Sequence, residues 1–177
     1  MNIKKTAELL INFAIKRLAE ILGLIVFLLG FLLLISLFSY SPNDPNFIFP
    51  ENTEIKNLLG FKGSFVSDLL FQSIGLTAYL LSLTLIITGI NIFRIKDFFL
   101  LIENLFFSVL YLIFGCIFFS YFYTNAFTLY INGNGGFIGL YLNSTFLNNI
   151  IQINEVIFYY ILIFLILTLF LISINFK

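Results

Sequence analysis

The chain has 177 residues, a single-domain length, and 60% of them are hydrophobic while 10% are charged. Average globular chains hold roughly 45–50% apolar and 25% charged residues, and a small soluble domain cannot hide so much apolar surface, so the bilayer is the expected solvent. The formal net charge is +0 and histidine is absent, which removes an overall footprint for nucleic acid, the usual near-neutral acid–base group and the commonest metal ligand.

Residues 3–20 read as a cytoplasmic amphipathic helix. Ile3, Ala7, Leu10, Ile11, Ala14, Leu18 and Ile21 fall on one face at helical spacing, and Lys4, Lys5, Glu8, Asn12, Lys16 and Glu20 lie elsewhere. Such a helix either lies along the leaflet or extends the next span into solvent, and the sequence weighs the two equally.

Residues 21–176 read as a four-span membrane domain. A crossing needs about 20 mostly apolar residues, and lipid leaves an unclosed backbone no choice but helix. The spans are placed at 21–38, 69–93, 105–123 and 156–176, giving an all-α membrane protein with four transmembrane helices. A cleaved signal peptide is the competing reading of the first span, with Ser39 and Ser41 as a weak cleavage site. Its apolar run, about 18 residues, is longer than such segments usually have.

Basic residues set the orientation. Lys4, Lys5, Lys16, Arg17, Arg94, Lys96 and Lys177 fall on one side, and only Lys56 and Lys62 on the other, beside Asp44, Glu51, Glu54 and Asp68. Both termini are therefore expected in the cytoplasm, with segments 39–68 and 124–155 extracytoplasmic.

The first outer segment opens with Pro42 and Pro45, which stop a helix, and with Asn43, Asp44 and Asn46, which favour turns. Tyr40 sits where interfacial aromatics belong. A short amphipathic stretch, 57–68, leads into span two, and Gly60 and Gly63 predict a tight turn or a close helix approach there.

The second outer segment contains neither Lys nor Arg and carries Asn132-Gly-Asn-Gly-Gly-Phe-Ile-Gly139. It fails the dinucleotide fingerprint, since Ile138 stands where the third glycine belongs, and the chain has no Walker loop. The run reads as a turn. Phe127, Tyr130, Phe137, Ile138, Tyr141, Phe146 and Ile150 are too apolar for a free loop, so the segment is expected to pack on the helix ends or dip into the interface. Asn143-Ser-Thr145 matches a glycosylation acceptor but carries no weight in an Asn-rich chain.

No catalytic, cofactor or metal site is legible. Cys116, the single cysteine, reads as a small packing residue. Glu20, Asp68, Glu103 and Glu155 lie at span ends rather than at a midplane, and Arg17 and Glu20 are spaced to pair on one helix face. Gly75, Ala78, Ser82 and Gly89 form a small-residue stripe, echoed by Gly23 with Gly30 and Ser108 with Gly115. The stripe either packs the bundle itself or joins subunits of a homo-oligomer. The fourth span, almost wholly of large side chains, is expected to face lipid.

Four motifs in order resemble the N-terminal four-span membrane domain of the FtsK/SpoIIIE DNA translocases. They are Arg17-x-x-Glu20-x-x-Gly23, Ser39-Tyr40-Ser-Pro42-Asn-Asp44-Pro45, Asn57-x-x-Gly60-x-x-Gly63 leading to Asp68, Gly75 and Ala78, and Gly135-Gly136-x-x-Gly139. The resemblance implies a non-catalytic module that anchors a motor at the bacterial division septum, in the cytoplasmic (inner) membrane. It also implies partners among division-apparatus membrane proteins, a cytoplasmic ATPase, and no direct contact with nucleic acid. Without Walker motifs or a DNA-reading segment in this sequence, translocation is expected to reside elsewhere. The chain is then a separate anchor, the product of a truncated gene, or a fragment of a longer translocase. The alternative is an independent channel or transporter using Glu103 or Gln72, and a weaker one is an outward-facing sensor.

Overall fold

The computed structural model describes residues 3–45, 54–124 and 131–175, and of residues 3–6 and 146 the backbone alone. Readings that fall on Asn46, Glu51, Phe127, Tyr130 and Lys177, and on the side chains of Ile3, Lys4, Lys5 and Phe146, lie outside the described residues. Among the described residues seven α-helices follow one another, and no strand occurs. They are α1 (Ile3–Phe38), α2 (Gly60–Ile74), α3 (Ala78–Ile95), α4 (Phe99–Phe122), α5 (Gly136–Asn143), α6 (Phe146–Ile153) and α7 (Glu155–Ser173). Four helical stretches are long and apolar enough to cross a membrane: 7–38, 60–95, 99–122 and 155–173.

α1 runs 36 residues without a break, roughly 54 Å at 1.5 Å per residue. It has no proline or glycine before Gly23 to interrupt it, so residues 3–20 and the first span form one rod. Up to Gly30 its buried positions are Ala19, Gly23, Val26 and Gly30, spaced four, three and four apart, which is one stripe of a helix, and Ser36 and Leu37 are buried near its end. Residues 7–18 are exposed on every side.

That stripe meets α3. A Cβ on Gly23 would stand 2.6 Å from the Phe93 nitrogen and 2.7 Å from the Gly89 oxygen, and one on Gly89 would be 2.7 Å from the Phe27 Cα. Side chains at either glycine would force the helices apart, so the small residues set how closely α1 and α3 approach.

α3 and the span it carries do not begin as a straight continuation of α2. Gly75 has φ +60°, which glycine adopts without strain, and a turn of 3₁₀ helix at Gly75–Thr77 separates the two helices. The helical stretch that holds the second span therefore starts at Gly60, nine positions ahead of the Leu69 read from hydropathy, and breaks at Gly75.

α1 packs beside α3, α3 beside α4, and α4 beside α7, which touches α3 more lightly. α5 lies across α4 and α2. A cluster of Ile117, Phe118, Ile151 and Leu162 joins α4, α6 and α7. The other face of α7, with Val156, Tyr160, Phe164, Leu167 and Leu171, is exposed.

Burial is inverted relative to a soluble protein. Ser64, Ser67, Asp68, Thr77, Ser82, Thr84, Thr88 and Asn104 are buried, while Leu24, Leu28, Phe61, Leu69, Phe106 and Phe164 are exposed. Water would penalise such an exterior and lipid does not. Some polar groups pair across helices: Asn104 Nδ2 donates to Thr88 Oγ1 at 2.8 Å, the Thr84 and Tyr111 hydroxyls lie 2.8 Å apart, and the partly buried Asn91 donates through Nδ2 to the Ile174 carbonyl at 3.0 Å.

Candidate functional site: polar ties at the two ends of the bundle

At one end of the bundle, which we call the loop end, α1 gives way to a turn because Pro42 and Pro45 cannot continue a helix. The Asp44 N–H donates to the Ser41 carbonyl at 3.1 Å, closing the turn with Pro42 and Asn43 at its centre. This aims the buried Asp44 carboxylate at the chain before α2, where it accepts the N–H groups of Lys56 at 3.0 Å and Asn57 at 2.8 Å.

Asn57 continues the tie. Its Nδ2 donates to the Ser36 carbonyl at 2.9 Å, and its Oδ1 accepts the Leu59 N–H at 3.0 Å. Ser36 Oγ donates to the Gly63 carbonyl at 2.6 Å, and Ser39 Oγ accepts the Leu58 N–H at 3.1 Å. Ser64 Oγ reaches the Pro45 carbonyl at 3.2 Å. The asparagine side chain packs so closely on Gly63 that a Cβ there would collide with it. Gly60, at φ +66°, turns the chain into α2.

Tyr40 extends the knot outward. Its hydroxyl donates to Asp68 Oδ1 at 3.0 Å, and its ring lies 4.8 Å from that of Phe71. Burial, reinforced by the Asp68 charge, pushes the Tyr40 phenol well above its ordinary pKa, so it remains a donor. Next to it Tyr79 donates to the Leu37 carbonyl at 3.2 Å. Leu37, Phe71, Ile74, Ala78 and Cys116 form the apolar floor beneath.

The glycine-rich run closes the same end. The Asn134 carbonyl accepts the Leu76 N–H at 2.9 Å at the α2–α3 break, and the Asn134 side chain donates to the Tyr123 carbonyl. Gly135 and Gly139 lie flat on α4 at Cys116 and Ser120, and Gly136, at φ +64°, abuts Ser73 and Gly75. The run is a turn over 131–135, as the sequence reads, but Gly136 also opens α5.

At the opposite end Glu20 bridges two cations. Its Oε2 lies 2.5 Å from Arg17 Nη1 and its Oε1 2.6 Å from Lys96 Nζ. Lys96, at φ +63°, caps α3 through its N–H to the Ile92 carbonyl at 2.8 Å. The Arg17 guanidinium also sits 5.0 Å over the Phe13 ring. The Arg17–Glu20 pair is legible from its spacing; Lys96 is 76 positions further on, and nothing local announces it.

The small-residue stripe lies inside the chain's own fold. Gly89 meets α1, Gly75 meets Asn134, and Ala78 and Ser82 are fully buried. Gln72 and Glu103, the residues read as candidates for solute flux, are not brought together: Gln72 is in α2 at the loop end and the exposed Glu103 is in the first turns of α4 at the other. Glu155 accepts the Tyr121 hydroxyl at 2.9 Å, and Cys116 is buried with its thiol on the Ile74 carbonyl.

The sequence pattern described as the 4TM region of DNA translocase FtsK/SpoIIIE matches residues 15–177. The chain belongs to this family. The matched range thus takes in the hydrogen bonds and ion pairs above, from Arg17 to Glu155. Curated relatives that the chain resembles are DNA translocases FtsK from Rickettsia typhi (33% identity over 72 residues), Azospirillum brasilense (37% over 79) and Caulobacter vibrioides (35% over 73). These alignments cover 41%, 44% and 41% of this chain but 10%, 12% and 9% of the relatives. The chain therefore corresponds to a small part of those proteins, and the shared part is the membrane region. No solved structure matches it.

Proposed function

We propose that this chain is the non-catalytic membrane-anchoring module of a DNA translocase that acts in bacterial cell division and chromosome segregation. The observation that carries the reading is the 4TM match across 15–177, a range that contains the polar ties holding both ends of the helix bundle. In this account the anchor sits in the cytoplasmic membrane with both termini inside, following the bias of Lys and Arg toward the Arg17–Lys96 end. The loop end then faces outward, where division-apparatus membrane proteins would meet it, and a cytoplasmic ATPase motor works from the opposite side. DNA is the motor's substrate, and this chain does not touch it. Copies of the chain assemble around the motor through faces of the bundle that its own helices leave uncovered.

The test is a fluorescent fusion of the chain expressed in dividing cells. Enrichment at septa is the expected result. A fusion spread evenly around the envelope, in cells where a full translocase is septal, overturns the reading.

A further inference from the structure

α1 and α3 cross so closely at Gly23 and Gly89 that the side chains flanking the crossing bridge over a gap. Gly23, Leu24, Phe27, Gly89, Ile90 and Phe93 line an apolar groove of about 200 Å³. Leu24, Ile90 and Phe93 are exposed, so the groove opens sideways, to the lipid, rather than into the bundle.

The groove's open side carries charge one or two turns further along. Arg94 follows Ile90 by four residues and Arg17 precedes Leu24 by seven, spacings that return to the same face of a helix. Lys96 and Lys16 belong to the same end, with Glu8, Glu20, Asp97 and Glu103 as the described carboxylates there. Glu20 is bound by Arg17 and Lys96, and Asp97 Oδ1 accepts the Phe99 N–H at 2.9 Å. Arg94 is exposed and, among the described residues, has no hydrogen bond or ion pair.

An unpaired guanidinium beside an apolar slot at the edge of a span matches the two halves of a phospholipid. A planar fork of donors suits a phosphodiester, and the slot takes methylenes that would otherwise pack poorly over a helix crossing. We propose that this groove is a binding site for one anionic phospholipid, its phosphate on Arg94 with support from Arg17, and part of an acyl chain between Leu24 and Ile90. The exposed, unpaired Arg94 guanidinium favours an anionic over a zwitterionic headgroup. The site is independent of any septal role, since it rests on the α1–α3 crossing alone.

The purified chain in detergent is titrated with phosphatidylglycerol, with phosphatidylcholine and with inorganic phosphate, and bound molecules are counted by native mass spectrometry. One phosphatidylglycerol should be retained in preference to phosphatidylcholine. Arg94→Gln should cut that preference by about fivefold, the effect of one basic residue near an anionic headgroup. Ile90→Trp, which fills the slot, should weaken both lipids. Lys62→Gln, at the loop end, should change neither. Equal retention of the two lipids, a preference that Arg94→Gln leaves intact, or displacement of lipid by inorganic phosphate each overturns the proposal. Should Ile90→Trp not fold, Arg94→Gln alone decides, because Arg94 is exposed and has no hydrogen bond or ion pair among the described residues.

Discussion

The Asp44 carboxylate accepts the Asn57 backbone N–H at 2.8 Å, so two motifs that lie apart in the sequence share one hydrogen bond. Asp44 is 2% exposed and Asn57 4%, which makes their bond one that water cannot replace.

Asp44→Ala should therefore leave two N–H groups, that of Lys56 and that of the buried Asn57, without an acceptor. A loss of about 2 kcal/mol follows from the usual worth of a buried hydrogen bond to a charged group. Thermal unfolding in detergent would read it, together with faster proteolysis between α1 and α2. An unchanged melting point would mean that the turn is held by other contacts.

Tyr40 gives stability a pH dependence. Its phenol pKa is raised by burial and by Asp68, above the roughly 10 of an exposed tyrosine. Below that value both folded and unfolded states keep the proton, and the contribution is fully present. As the pH rises past about 10 the unfolded chain ionises first, so stability falls. Tyr40→Phe should flatten part of this alkaline decline while lowering stability at neutral pH. A decline identical in both proteins would assign the effect to other groups.

The α1–α3 crossing sets a third expectation. Gly89→Leu places a large side chain where the Phe27 backbone already lies, and should separate the two helices and unfold the chain at a markedly lower temperature. Gly133→Ala, where nothing lies within 4 Å of the added Cβ, serves as the contrast for crowding. It carries strain of another kind at φ +68°, roughly 1 kcal/mol. Equal effects from the two would remove close packing as the role of Gly89.

In the interior, Asn104→Leu with Thr88→Val tests the hydrogen bond between α3 and α4. Interhelical bonds of this kind inside membranes are worth about 0.6 kcal/mol in double-mutant cycles. Additive losses would show that the pair is uncoupled.

The apolar helices and the Arg17–Glu20 pair were legible because helix period and local spacing are written in consecutive residues. The break at Gly75 was not, since its cause is Asn134, a partner that only the fold brings to it. α2 was half legible. Its apolar content suggested a span entry at Leu69, but its polar face turns inward to Ser36 and Tyr40 and draws nine earlier positions into the helix. The motifs around Ser39, Asn57 and Gly135 were visible as patterns, and reading 39–68 and 124–155 as one side already grouped them; the contacts that join them to their neighbours, Ser39 Oγ with the Leu58 N–H and Gly136 against Ser73 and Gly75, were not visible.

The account turns on which side of the membrane that loop end faces. Single cysteines at Leu58 and Ile131, and at Glu8 and Asp97, all exposed, placed in a Cys116→Ser chain, can be treated with a membrane-impermeant thiol reagent in intact cells whose outer barrier is opened. Labelling at Leu58→Cys and Ile131→Cys, with Glu8→Cys and Asp97→Cys reacting only after lysis, is the predicted result. Labelling of Glu8→Cys or Asp97→Cys in unlysed cells would contradict an anchor that presents its ends to a cytoplasmic motor.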